Sequence, residues 1–157
     1  FRNNLVVDLS RANWGGAGQL VLTSGGDAIT IDHNTVFTDG TSVVYADGAQ
    51  VTGFRFTNNI VPDNAWAVMG AGTAEGHGTL SALFPGATFQ RNVIIGGQTA
   101  LYPASNYFPA TVNDVGFVNA AGNYRLGAWS PYASAATDGT AVGANIDTIN
   151  AAAGTTY

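Results

Sequence analysis

Four short segments of the chain repeat one pattern: an aromatic residue or Ile, two polar residues, an Asn and then apolar, mostly β-branched residues. The segments are FRNNLVV, IDHNTVF, FTNNIV and FQRNVII. In register they align Asn4, Asn34, Asn59 and Asn92, at spacings of 30, 25 and 33 residues. A repeat of about 20 to 50 residues is typical of a solenoid, in which each unit buries its apolar face against a stacked neighbour.

The repeated units read as strands. AITID, GFRFT and ATFQ alternate apolar and polar residues, a second strand follows each Asn, and QLVLTS, SVVYAD, AWAVMG and TALYPA supply a third. Three short strands per period predict an all-β fold, a right-handed single-stranded parallel β-helix of about four coils. The coils cover residues 1–104, with loops without regular structure at 10–18 and 71–86, and an irregular cap at 105–157 closes the C-terminal end.

The Asn column is expected at a corner between strands, where Asn tolerates left-handed backbone geometry and stacked amides bond from coil to coil. The flanking columns are expected to point inward. They are Phe1, Ile31, Phe56 and Phe89, and Val6, Val36, Val61 and Ile94. Two further columns are expected to face solvent: Arg2, Asp32, Thr57 and Gln90, and Asn3, His33, Asn58 and Arg91.

The charge composition narrows the possible partners. The chain has a net charge of −5 and no Lys, and binding to a phosphate backbone requires clustered Lys and Arg, so nucleic acid is excluded as a partner. No stretch has the 18 or so apolar residues that a membrane helix requires. A surface of neutral polar residues favours a location outside the cell. Since the sequence starts with Phe, we expect either a removed leader or a longer chain.

The repeat resembles the right-handed parallel β-helix (pectate-lyase-like) superfamily of secreted bacterial proteins. GFVNAAGNYRLGAWSPYASAATDGTAVGANID resembles the closing segment common in bacterial β-helix proteins, with Tyr124, Leu126, Ser130-Pro131, Asp138-Gly139 and Gly143-Ala144 in the familiar order. The lyases of this superfamily use an Arg or Lys base and Ca²⁺ held by acidic residues. Here the Arg and Asp residues are dispersed, so no residue matches that pattern; no cofactor is expected, and Ca²⁺ is the metal that the resemblance implies.

Few residues offer catalytic chemistry. Glu75 and His77, both in loop 71–86, are the candidate acid–base pair. His33 is expected to be a solvent-facing turn residue, because a metal site needs three or four convergent donors.

Binding has more candidates. Trp14, Tyr45 and Asp47 are the predicted contacts for a sugar, because a ring stacks on a pyranose while polar groups bond its hydroxyls. Trp129 and Tyr132 are expected to pack inside the closing segment.

The first coil is expected to expose Phe1, Leu5, Val6 and unpaired strand edges. Upstream coils or a second protomer would cover them. Three functions therefore stay open: a non-catalytic extracellular or cell-surface protein that contacts polysaccharide, a module that stacks head to tail into filaments, and a fragment of a polysaccharide lyase or glycoside hydrolase.

Overall fold

The computed structural model describes residues 1–154, which are predominantly β with parallel sheets and short helices. The first strands in chain order are β1 Leu5–Leu9, β2 Val21–Thr23, β3 Gly26–Asp27, β4 Thr30–Asp32, β5 Thr35–Thr38, β6 Ser42–Ala46 and β7 Val51–Thr52. They are followed by β8 Arg55–Thr57, β9 Ile60–Pro62, β10 Trp66–Gly70, β11 Thr88–Gln90, β12 Val93–Ile95, β13 Phe117–Asn119 and β14 Asn123–Leu126. The helices are α1 Arg11–Trp14, α2 His77–Leu83 and α3 Ile146–Ala153, with 3₁₀ turns at Thr99–Leu101 and Val112–Val115.

Successive units of the repeat stack in chain order. Three parallel sheets have the orders β1-β5-β9-β12, β2-β6-β10 and β4-β8-β11, and β3 pairs with β7. We call β1-β5-β9-β12 the ladder sheet, β2-β6-β10 the strip sheet and β4-β8-β11 the inner sheet. The arrangement is compatible with a parallel β-helix.

The strand register follows the columns of the repeat. Ile31 pairs with Phe56 and Phe56 with Phe89, whose rings stack at 5.3 Å between centroids. All three side chains are buried in one hydrophobic core. Since side chains in a strand alternate between faces, a slip of one residue would turn this column out of the core.

The four predicted asparagines stack through their side chains, and Asn106 adds a fifth member. The Nδ2 of Asn34 donates to Oδ1 of Asn59 at 2.9 Å, and the Nδ2 of Asn59 donates to Oδ1 of Asn92 at 3.1 Å. The same acceptors also receive the backbone N–H of the donating residue. Asn92 makes the equivalent pair of bonds to Asn106.

The prediction of left-handed geometry at the ladder residue was wrong by one position. The residues with positive φ are those immediately before it, namely Asn3, His33, Asn58 and Arg91, with φ of 51° to 58°. The ladder Asn is thereby free to direct its amide along the stack, while the preceding residue makes the corner.

Three further expectations about local structure were wrong. Residues 99–101 were expected to form a fourth strand of the strip sheet, next to β10, but they form a 3₁₀ turn. At that edge of β10, the carbonyl of Val68 accepts a hydrogen bond from the N–H of Gly76 instead. Both loops without expected regular structure contain a helix, α1 and α2.

The closing segment lies along the flank of the coils. Its antiparallel strands β13 and β14 and the turns that follow pack on the outer face of the ladder sheet, where Phe37 contacts Tyr124 at 5.0 Å between ring centroids. A second core forms there, of Ile60, Val93, Val115, Phe117, Tyr132, Ala136 and Val142. Strands β5, β9 and β12 are therefore largely buried on both faces, whereas β1 keeps exposed residues such as Val7. The N–H of Asn145 donates to Oδ1 of Asn3, just before β1. Residues 155–157 of the predicted cap lie outside the described range.

We expect Asn59→Ala to lower the free energy of unfolding by about 3 kcal/mol, because it leaves buried partners above and below it without hydrogen bonds. Chemical denaturation measures the loss. Asn4→Ala is the matched control at the half-buried end of the same ladder, and its loss should be clearly smaller. Equal losses would contradict a role for burial in the ladder's stability.

Candidate functional site

A short helix projects Trp14 from the first coil. The Oγ of Ser10 accepts the N–H of Asn13 at 3.0 Å and so caps the start of α1. The carboxylate of Asp39, in the second coil, accepts from the Ser10 hydroxyl and from the N–H groups of Arg11 and Ala12. These bonds hold the pKa of Asp39 below its ordinary value. The helix is therefore tied to the coil beneath it.

The ring of Trp14 is fixed by a hydrogen bond and still exposed. Its Nε1 donates to Oδ2 of Asp8 at 2.9 Å, and 74% of the residue remains accessible. The Nδ2 of Asn13 donates to the other oxygen of Asp8 at 3.2 Å. A ring held in this way loses little conformational entropy when a ligand stacks on it.

The outer face of the strip sheet continues from Trp14. Leu22 pairs in register with Tyr45, and Tyr45 with Met69. Leu22 is 65% exposed, and the other two are half-buried. Trp66, in the same strand as Met69, is also exposed. We call Trp14, Leu22, Tyr45 and Met69 the apolar strip.

Two grooves lie beside α1. One, of about 350 Å³, is lined by Trp14, Leu22, Gln19 and the Gly-rich turn after the helix. The other, of about 260 Å³, is lined by Asp8, Asp39 and Phe37 among others. An exposed aromatic face beside carboxylate and amide groups suits a sugar ring, which has apolar faces and hydroxyl edges.

The predicted binding residues occupy different parts of this region. Tyr45 lies in the apolar strip, connected to Trp14 through Leu22. Asp47 is exposed just after β6, where its backbone N–H donates to Thr23 O at 2.7 Å, and it does not line the Trp14 groove. Leu22 was not predicted to be a binding residue. The repeat nevertheless indicates it, because aligning QLVLTS with SVVYAD places Leu22 beside Tyr45.

Glu75 and His77 are not brought together. Oε1 of Glu75 lies 2.6 Å from the Tyr102 hydroxyl, which also contacts Oδ1 of Asp63 at 2.9 Å. Burial raises the pKa of Glu75, and the charge of Asp63 adds to the rise. His77 begins α2 and lines a separate hollow of about 190 Å³ with Leu80 and Phe84. The two side chains therefore face different surroundings.

His33 was expected to face solvent, and the structure buries it beneath the closing segment at 8% exposure. Its Nδ1 lies 3.0 Å from Oδ2 of Asp32, at ion-pair distance although the N–H is not aligned for a hydrogen bond. Its Nε2 lies 3.2 Å from the Thr140 hydroxyl. The prediction failed because residues 133–145 pack over this corner.

The carboxylate of Asp32 is buried at the same corner, together with the neighbouring Thr57 and Asn58, which were also expected to face solvent. Burial works against ionisation of Asp32. His33 and the hydrogen bonds from Thr57 and Asn58 outweigh that effect, so the pKa of Asp32 lies below its ordinary value of 3.8. Ionised Asp32 therefore stabilises the fold above pH 3.8, and the contribution disappears as the pH falls through its lower folded pKa.

We expect Asp32→Asn to lower the free energy of unfolding by about 2 kcal/mol at pH 7, because the donors around it lose their charged acceptor. The difference from wild type should shrink as the pH falls below 3.8. Denaturation at pH 7, 5 and 3 measures it. Exposed Asp47→Asn is the control, and a pH-independent difference for Asp32→Asn would contradict the assignment.

Trp129 was expected to pack inside the closing segment, but the structure leaves it exposed. It is 70% exposed, with its ring over Gly127, where an added Cβ would lie 2.5 Å from the ring. Tyr132, in contrast, is buried in the second core. Trp129 is therefore another strongly exposed indole, and it lines neither of the grooves beside α1.

Within residues 1–154, no group of three or more His, Cys, Asp or Glu side chains is placed to hold a metal ion. In the same range, no helix has the length and apolar character needed to cross a membrane.

Comparison with known proteins found no matching family model, no matching curated protein and no matching solved structure.

Proposed function

We propose that the chain is a right-handed, single-stranded parallel β-helix of the pectate-lyase-like kind, and that it acts outside the cell as a non-catalytic protein that binds polysaccharide through the apolar strip. The order of the parallel strands supports the fold, since parallel crossovers are right-handed in nearly all proteins. The charge-poor surface supports a secreted location.

The observation that carries the binding proposal is the anchored, exposed Trp14. Exposing an indole ring to water is costly. A single exposed apolar residue is common and needs no explanation, but a contiguous apolar face marks a contact site. Here the exposed ring adjoins Leu22, and Leu22 adjoins Tyr45 in the sheet. The bond to Asp8 holds the ring in its exposed position.

The polar groups around the strip favour a neutral polysaccharide over a polyuronate. Asp8, Asp39 and Asp47 lie in or beside the region, and the chain carries a net charge of −5. The negative charge of these Asp side chains and of the whole chain would repel carboxylates on a ligand. Sugar hydroxyls, in contrast, donate hydrogen bonds to Asp and Gln oxygens.

We expect Trp14→Ala to weaken binding to a neutral polysaccharide by about tenfold, which corresponds to ~1.4 kcal/mol for one lost stacking contact. Affinity electrophoresis in gels that contain xyloglucan, galactomannan or mixed-linkage β-glucan measures the retardation. Asp8→Ala keeps the ring and removes its anchor, so it should cause a smaller loss.

Trp129→Ala is the matched control, because it removes a similarly exposed indole that lines neither groove beside α1. Its retardation should equal that of wild type. Unchanged retardation of Trp14→Ala would contradict the proposed strip, and retardation by polygalacturonate alone would contradict the neutral class of ligand.

A further inference from the structure

The Tyr102 hydroxyl has more oxygen neighbours than hydrogens to share with them. It lies 2.9 Å from Oδ1 of Asp63 and 2.6 Å from Oε1 of Glu75, and it accepts the N–H of Ala67 at 3.0 Å. A phenol donates one hydrogen, and an ionised carboxylate donates none. If both carboxylates were ionised, one of the two oxygen–oxygen contacts would therefore contain no hydrogen and would be repulsive.

A proton on Glu75 supplies the missing hydrogen. Oδ1 of Asp63 also accepts the N–H of Ala67 at 3.0 Å, and a bond of this kind favours the ionised form of Asp63. The Glu75 carboxyl contacts no polar group among residues 1–154 other than the Tyr102 hydroxyl. The complete chain of hydrogen bonds therefore runs from protonated Glu75 to Tyr102, and from Tyr102 to ionised Asp63.

The surroundings of Glu75 also favour its protonated form. Tyr102 and Asp63 are buried, and they are the titratable groups that face Glu75 from neighbouring elements. No ion pair among residues 1–154 includes Glu75 or Asp63, and His77 lines a separate hollow. Burial raises the pKa of Glu75, and the charge of Asp63 raises it further.

Glu75 belongs to the segment between β10 and α2, residues 71–76, which we call the strap. The N–H of Gly76 donates to the carbonyl of Val68 at 3.0 Å, so the strap occupies the outer edge of β10. A Cβ added to Gly76 would lie 2.0 Å from the carbonyl oxygen of Leu101, so the two backbones are in direct contact.

The strap and α2 are held by different interactions. The strap has the sequence AGTAEG, which contains no large apolar side chain. In α2 and just after it, Leu80 and Phe84 are buried in the core, and the Phe84 ring lies 4.3 Å from that of Phe54 between centroids. The strap therefore depends on polar contacts, whereas the helix depends on apolar packing.

We propose that Glu75 is a pH switch: its protonated carboxyl holds the strap on β10 through Tyr102, and its ionisation opens the strap while α2 stays in place. Opening exposes the outer edge of the strip sheet. Because the pKa of Glu75 lies above its ordinary value of 4.5, the stabilisation is fully present below pH 4.5 and is lost as the pH rises through the higher folded pKa.

The test uses the single Glu of the chain, since ¹³C labelling of the glutamate carboxyl gives one NMR signal that reports Glu75. We expect this signal to titrate above pH 4.5. Hydrogen exchange at the Gly76 N–H, corrected for the intrinsic rate at each pH, should show protection that falls at least tenfold over the same range. The N–H of Ile60, bonded to Asn34 O at 2.8 Å, is the internal control and should keep its protection.

Two variants separate the proton from the packing. Glu75→Gln keeps a hydrogen for the Tyr102 hydroxyl at every pH, so its Gly76 protection should match wild type at pH 4.5 and stay constant as the pH rises. Asp63→Asn removes the neighbouring charge and should move the titration of Glu75 towards pH 4.5.

A Glu75 signal that titrates at or below pH 4.5 would overturn the proposal, and so would Gly76 protection that does not change with pH in wild type. Protection that falls with pH in Glu75→Gln as it does in wild type would assign the opening to another group and would also overturn it. None of these outcomes depends on whether the apolar strip binds polysaccharide.

Discussion

The stack of buried Asn amides sets the register of everything around it. Asn34, Asn59 and Asn92 have no accessible surface, so each amide must find its partners inside the protein or leave a costly unsatisfied group. Those partners exist only when one coil sits in the right position on the next. Correct stacking of the amides therefore also brings the Ile31, Phe56 and Phe89 column into contact, and polar and apolar interactions select the same arrangement.

The position before each ladder Asn has a separate use. Its left-handed backbone turns the corner and directs its side chain outward, where the closing segment lies. Asn58 donates to the Thr137 hydroxyl at 2.9 Å, accepts the Thr137 N–H at 2.8 Å, and its carbonyl accepts from Gly143. His33 meets Thr140 one coil away. The corners thus hold the coils to the flank, as well as linking strand to strand.

The stacking order and the inward columns were predictable because the repeat encodes them directly. The covering of the ladder sheet was missed, although a signal was present: Ile60-Val61 and Val93-Ile94-Ile95 are continuous apolar runs, as expected for strands buried on both faces. Trp14 was predictable as a binding residue because it is an aromatic residue in a Gly-rich loop. Its anchor at Asp8 was not predictable, because that contact depends on the helix at 11–14, which is too short to leave a periodic signal.

The three large sheets have different outer surfaces, and the difference argues for one binding face. The closing segment covers β5, β9 and β12 of the ladder sheet, and the inner sheet presents polar residues such as Thr30 and Arg55. The strip sheet presents the exposed Leu22 beside the half-buried Tyr45, and no segment among residues 1–154 covers Leu22. An uncovered apolar surface persists in a folded protein at a cost in water, and this cost supports the proposal that the face contacts a ligand.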